Sequence, residues 1–180
     1  MQQTELTTLD WMQRHLRCDA LDAFFPWFTA LTNHGEIWIV LAVLLLLWKK
    51  TRRTGLSIGA GLLLDLLVCN LTLKPLIGRI RPFAVNTAVE LLVAAPTDAS
   101  FPSGHTAVSF AAAGALYGAG SPLWKPAAAV AALMAFSRLY LYVHWPTDIL
   151  DGMAVGWMCG LLGAKLVQKA SNALQKRKQA

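Results

Sequence analysis

The sequence predicts an all-α fold: a polytopic membrane helix bundle with five clear spans and an N-terminal segment that is either interfacial or a short sixth helix. Three observations predict it. The 180 residues are 56% hydrophobic and 14% charged, with a mean hydropathy of +0.47, whereas an ordinary soluble domain carries about 25% charged residues. The apolar residues gather in runs too long for most soluble core helices. The basic residues, which leave a net charge of +6, fall mainly in short loops and at the C-terminal end. That distribution is one of membrane topology and not of nucleic-acid binding. The chain is too short for a second domain. It reads as one unit, with an N-terminal interfacial segment (1–34), a helix bundle (36–168) and a basic cytoplasmic tail (169–180).

Each element follows from its own stretch. Residues 1–19 are polar and charged, with no basic run leading into an apolar one, so no cleavable signal is expected. Residues 20–33, ALDAFFPWFTALTN, are apolar but short and contain Asp22 and Pro26, which suits an interfacial or re-entrant segment. Residues 36–48 form the first clear span, followed at once by Lys49, Lys50, Arg52 and Arg53. Residues 55–73 form the second. At about 1.5 Å per residue this run covers about 28 Å, close to a hydrocarbon core. A polar stretch, 74–104, then carries Lys74, Arg79, Arg81 and four prolines. Residues 105–119 are the third span, rich in the small residues that let helices approach closely in lipid. The fourth runs from about 126 to 143 and the fifth from 148 to 167.

Alternation of spans puts Lys49–Arg53, Lys125 and the tail on one side, which the excess of positive charge makes cytoplasmic. Residues 74–104 and 138–148 then face outward, at the outer leaflet of the cell membrane. Trp38, Trp48, Trp124, Tyr140, Tyr142 and Trp145 fall near span ends and read as aromatic belts. Cys18, Cys69 and Cys159 have no spacing that suggests a disulfide framework or a zinc site. No carboxylate cage for Mg²⁺ is evident, so neither metal nor cofactor is expected.

Three polar clusters share the outward side. In KPLIGRIRP, Lys74 and Arg81 are seven apart and would lie on one helix face, although Pro75 and Gly78 make a regular helix doubtful. Arg81 offers a planar fork to phosphate oxygens and Lys74 a point charge; two snorkelling cations are the plainer reading. In Pro102-Ser103-Gly104-His105, Ser103 is a natural N-cap and Gly104 allows close approach of a ligand to a helix N-terminus, where anions bind. Ser-Gly also simply starts helices. In SRLYLYVHWPTD, His144 and Asp148 are four apart, close enough for the carboxylate to orient the imidazole, and Arg138 is a third cation. A lone interfacial histidine with a capping aspartate would look the same. Three cations, a helix N-terminus and two histidines on one membrane face are together explained by a phosphate or diphosphate site.

These segments resemble the type 2 phosphatidic-acid phosphatase superfamily, whose three ordered motifs are matched by Lys74 to Arg81-Pro82, by Pro102-Ser103-Gly104-His105, and by Ser137-Arg138 through His144 to Asp148. The resemblance implies a metal-independent lipid phosphatase. His144 would attack phosphorus to form a phosphohistidine, Asp148 would orient it, and His105 would protonate the leaving oxygen and then activate water. Lys74, Arg81, Ser103, Gly104 and Arg138 would bind the phosphoryl oxygens. The expected substrate is a polyprenyl diphosphate of the undecaprenyl type. Phosphatidic acid or phosphatidylglycerol phosphate is the alternative, and a non-enzymatic phospholipid-binding or transport protein is the alternative class. The soluble, vanadate-binding haloperoxidase branch does not suit five apolar spans. The family's lipid phosphatases usually have six spans, which leaves the role of residues 20–33 open.

Other residues carry smaller expectations. Asp65 lies mid-span, where a carboxylate is costly, so it should face protein. Asn70 stands one turn before Lys74 and could brace it. His15 and His34 read as interfacial. Residues 83–101 join the first two motifs; AVELLVAA within them could form a short helix on the bilayer and one wall of the site.

Overall fold

A computed structural model describes residues 2–179; among them the regular structure is all helix, with no strand. The N-terminal region forms α1 (Gln2–His15) and α2 (Asp19–Ala30), which lie over one end of a bundle. The bundle contains α3 (Glu36–Leu47), α4 (Arg52–Asp65), α7 (Gly104–Gly118), α8 (Trp124–Tyr140) and α9 (Pro146–Gln179). Between α4 and α7 the chain passes through a π-helical stretch, Leu66–Leu73, and two single turns, α5 (Lys74–Ile77) and α6 (Pro82–Val85). Two helical segments, Arg52–Val85 and Pro146–Arg177, are long and apolar enough to cross a membrane, and α3 is a shorter apolar helix.

α7 is the axis of the bundle. Thr106, Ala107, Ser109 and Ala111 through Leu116 are all buried. Its small residues admit α9 at backbone contact, because Gly152, Gly156 and Gly160 place one glycine per turn on the facing stripe. A methyl group at Gly156 would stand 2.1 Å from the Ala107 carbonyl oxygen, and one at Gly160 would stand 2.2 Å from that of Ala111. The glycine stripe is a small-xxx-small seam of the kind that packs helices in lipid. It holds together the two helices whose first turns carry His105 and Asp148.

The structure departs from expectation in four places. Lys74 and Arg81 do not share a helix: Gly78, at φ +60°, ends α5 in the left-handed region and Arg81 is extended. Residues 86–103 contain no helix, because Leu91, Leu92 and Val93 turn inward onto the cluster of Phe25, Tyr140 and Val143. The aromatic-belt reading fails for Trp38, Tyr140, Tyr142 and Trp145, each at most 3% exposed. Their polar tips are bonded within the protein: Trp38 donates to Ser109, Tyr140 to Asp22, Tyr142 to Asp10 and Trp145 to the Ile80 carbonyl. α1 and α2 cover Tyr140, Tyr142 and Trp145, while Trp38 packs among α3, α4 and α7, so all four rings are core. Finally, the basic tail continues α9 as helix through Gln179.

Candidate active site

The three motif segments meet at the end of the bundle under α2. Lys74, Arg81, Gly104, His105, Arg138 and His144 line one cavity of about 610 Å³, together with Asn33, Asp65, Asn70 and Asp98. Lys74 is delivered by the turn that follows the π-helical stretch, and Arg81 by the extended chain beyond Gly78. Gly104 begins α7. A methyl group there would lie 3.2 Å from Asn70 Oδ1 and 3.5 Å from Lys74 Nζ, so the bare glycine leaves room for the cation over the helix N-terminus. Asn70 and Lys74 thus both lie beside Gly104, and the bond of Lys74 is to Asp98.

His144 sits in the tight turn between α8 and α9. That turn reverses through Tyr142, a non-glycine residue at φ 59°, whose hydroxyl is fixed by Asp10 at 2.5 Å and Asn86 at 3.1 Å. The His144 ring is 1% exposed. Its Nδ1 faces Asp148 Oδ2 at 3.4 Å, and its Nε2 faces Arg81 Nη1 at 3.2 Å. An arginine can only donate, so Nε2 is the unprotonated nitrogen and its lone pair accepts from Arg81 at the cavity wall. Burial, reinforced by the charges of Arg81 and Arg138 and opposed by Asp148, pushes the imidazole down to about 3, which keeps it neutral. Asp148 accepts from Ser100 at 2.5 Å and from the Trp145 N–H at 2.9 Å on the same oxygen. Its other oxygen accepts from Arg79 at 2.6 Å.

His105, on the first turn of α7, points its Nε2 at Asn33 Oδ1, 3.2 Å away, and so carries a proton there. Arg138 is 4% exposed; one guanidinium arm donates to Thr29 Oγ1 of α2, while its Nε has no partner. A buried guanidinium N–H without an acceptor, in the wall of a cationic cavity, is a donor in want of an anion. Asp65 is likewise buried with an unpartnered Oδ1.

Two expected residues stand behind the cavity wall. Asp148 is there to hold His144. Ser103 is fully buried at the N-cap position, but its side chain makes no capping bond; its hydroxyl accepts from Thr106 at 3.0 Å and its N–H donates to the Asp148 carbonyl at 3.1 Å. Asp98 was not anticipated. From the loop 86–103 it pairs with both Lys74 and Arg81, at 2.7 Å to the Arg81 guanidinium. Burial would raise its carboxyl, yet Lys74 and then Arg81 outweigh that and hold it at about 2. An anion already occupies the cations that a phosphoryl group would need. Arg79, Ser100 and Thr29 were also missed. Asp98 and Ser100 lie just ahead of the PSGH stretch, and Arg79 lies inside KPLIGRIRP, so proximity to a motif was the available signal.

The PAP2 superfamily pattern matches residues 54–172. The chain belongs to the PAP2 superfamily. An undecaprenyl-diphosphatase of Sulfolobus acidocaldarius is 31% identical over 139 residues, 76% of this chain and 67% of that protein. Undecaprenyl-diphosphatase BcrC of Bacillus subtilis is 30% identical over 146 residues, 79% of this chain and 72% of that one. This chain therefore spans about two thirds of the first relative's length. The crystal structure of LpxE from Aquifex aeolicus matches with a TM-score of 0.76 at 27% identity, over 89% of this chain and 94% of that one. The cavity of this PAP2 protein is thus built by the same three segments in which the sequence resemblance was found.

Proposed function

We propose that the chain is a membrane lipid phosphatase that cuts a polyprenyl diphosphate, of the undecaprenyl kind, to the monophosphate. The observation that carries this is the convergence of Lys74, Arg81, Gly104, His105, Arg138 and His144 on one cavity. The names of the two diphosphatase relatives favour the substrate class.

The reaction runs in two steps. His144 Nε2 attacks the terminal phosphorus, forming a P–N bond while the P–O bond to the lipid phosphate breaks. Binding of the anionic phosphoryl group draws a second proton onto His105, which passes it to the departing oxygen. The now neutral His105 then takes a proton from water, the water oxygen attacks phosphorus, and the P–N bond breaks to release inorganic phosphate. Asp148 holds Nδ1–H and stabilises the positive ring. Lys74, Arg81, Arg138 and the Gly104 N–H meet the phosphoryl oxygens where charge accumulates.

For the membrane we propose five spans: α3, α4 with its π-helical continuation, α7, α8 and α9, with α1 and α2 as outer cover. Exposed Val40, Val43 and Leu47 on α3, Leu63 and Leu71 along the second span, and Met158, Leu162 and Leu166 on α9 support a lipid-facing belt. The positive charge of Lys49–Arg53, Lys125 and the α9 end supports an outward-facing site.

Purified protein in excess EDTA, given polyprenyl diphosphate, phosphatidic acid and phosphatidylglycerol phosphate in turn, tests the reading. Release of phosphate fastest from the polyprenyl diphosphate is expected. Preference for a glycerophospholipid selects the alternative substrate, and binding of all three without phosphate release makes the chain a lipid-binding protein.

A further inference from the structure

Asp148 is held by more than the residues of its own motif. Its Oδ1 accepts from Arg79 Nη1, and the other arm of that guanidinium, Nη2, donates to Glu5 Oε2 of α1, also at 2.6 Å. Glu5 is 6% exposed. Its second oxygen accepts from the Thr147 N–H at 3.0 Å and from the Thr147 hydroxyl at 2.6 Å. The same guanidinium lies 5.2 Å from the Trp145 ring centroid. Carboxylate, guanidinium, carboxylate and imidazole therefore follow one another from the N-terminal helix to the cavity. Leu9 and Met12 already dock α1 on Tyr142 and Trp145. A buried glutamate adds a desolvation cost to that docking, and what it gains is a grip on Arg79 and on the residue before Asp148.

We propose that Glu5 is a positioning residue for the reaction, acting through Arg79 to keep Asp148 aligned with His144 and its charge available to the ring. An arginine paired with Asp148 alone would draw the carboxylate's charge away from Nδ1, where the contact is already 3.4 Å long. Glu5 divides the guanidinium between two carboxylates and so relieves that pull. Its bonds to Thr147 also fix the first turn of α9, from which Asp148 projects. The need for Asp148 is greatest when His144 becomes positive on bonding to phosphorus, and neither Glu5 nor Arg79 lines the cavity. Loss of the Glu5 charge should therefore slow turnover and leave substrate binding alone. The inference rests on the phosphatase reading above.

The experiment uses the full-length protein and Glu5→Gln, which keeps the shape and the acceptor for Thr147 but removes the ion pair. Turnover is expressed per vanadate-titrated site, so that unfolded protein does not count. Glu5→Gln should lower kcat about tenfold with KM within twofold of wild type. Arg79→Lys keeps the charge but loses the fork that spans both carboxylates, and should fall similarly. The double variant should be no worse than the poorer single one, because both changes break one path. Wild-type kcat per site in Glu5→Gln, a rise in KM instead, or losses that multiply in the double variant each overturn the proposal while an active wild type leaves the phosphatase reading standing. A wild-type chain that releases no phosphate from any lipid overturns both.

Discussion

Asp98→Asn should make the enzyme bind free oxyanions more tightly. In the resting structure Asp98 pairs with Lys74 and Arg81, so a phosphoryl group must displace a carboxylate before it can be held. Asp98 is half exposed while the two cations are 14% and 5% exposed, so each pair is screened on one side. Pairs of that sort are worth about 0.2–1 kcal/mol each. Two of them, discounted for solvent, set the displacement at about 1 kcal/mol, or about fivefold in affinity. The carboxyl is held at about 2, so acid within an assay range does not remove the competitor. Because that value lies below the ordinary 3.8, the pairing stabilises the fold fully above 3.8 and is lost only as pH falls through about 2. The assay is the competitive inhibition constant of orthovanadate and of inorganic phosphate at neutral pH, for wild type and Asp98→Asn. Both constants should fall about fivefold, and kcat should fall or stay level as product leaves more slowly. Inhibition constants that are unchanged or higher would refute displacement, and would mean that Asp98 orders the two cations without competing for them.

Other outcomes follow from the same geometry. His144→Ala should abolish turnover in a protein that still elutes folded from a sizing column in detergent, since the covalent step loses its nucleophile; activity above a tenth of wild type would sink that role. Gly156→Ala should lower thermal stability by about 1–3 kcal/mol and reduce activity, because its methyl group would meet the Ala107 carbonyl at 2.1 Å, whereas Gly59→Ala meets nothing within 4 Å and should be silent in the same melt. The His144 ring, lowered by burial to about 3, should show no NMR titration near 6.5, and protonation should favour the unfolded chain as pH drops below 6.5; a midpoint at 6.5 would remove the neutral-nucleophile argument. Cysteines placed in 86–98 should react with an impermeant reagent added outside intact cells and those in 50–54 should not; the reverse pattern would turn the proposed topology over.

The site was legible where chemistry has a local signature. Lys74, Arg81, Gly104, His105, Arg138 and His144 could be picked from short stretches because each stretch joins an unusual residue type to a turn or a helix start. The helix pattern was legible for the same reason: apolar runs end where charge begins. What was not legible depends on packing between distant segments. Tyr140 and Tyr142 look like interface residues in sequence, and only the cover of α1 and α2 makes them core. Asp98 looks like a loop residue, since nothing local says that Lys74 and Arg81 converge on it. The GxxxGxxxG spacing of Gly152, Gly156 and Gly160 was present in the sequence, but its meaning needed the small face of α7 opposite.

Residues 20–33, ambiguous as a span, acquire a reason for their composition once the contacts are known. Pro26 and the short apolar run suit the covering role proposed for α2. Its Phe25 and Phe28 pack against the α8 end while Thr29 accepts from Arg138. That single bond occupies one arm of a buried guanidinium and leaves its Nε without a partner. α1 treats the next turn in the same way: Gln13 donates to the Tyr140 carbonyl, Asp10 accepts from Tyr142, and Glu5 reaches Arg79 and Thr147. The chain from Arg138 to Asp148 is thus held from outside at four points, Arg138, Tyr140, Tyr142 and Thr147, across the turn that joins α8 to α9. Catalysis by a buried histidine needs its ring fixed to within a fraction of an ångström. In the proposed mechanism the motifs supply the reacting groups, and the two N-terminal helices, which carry no motif, would supply the rigidity that lets those groups act.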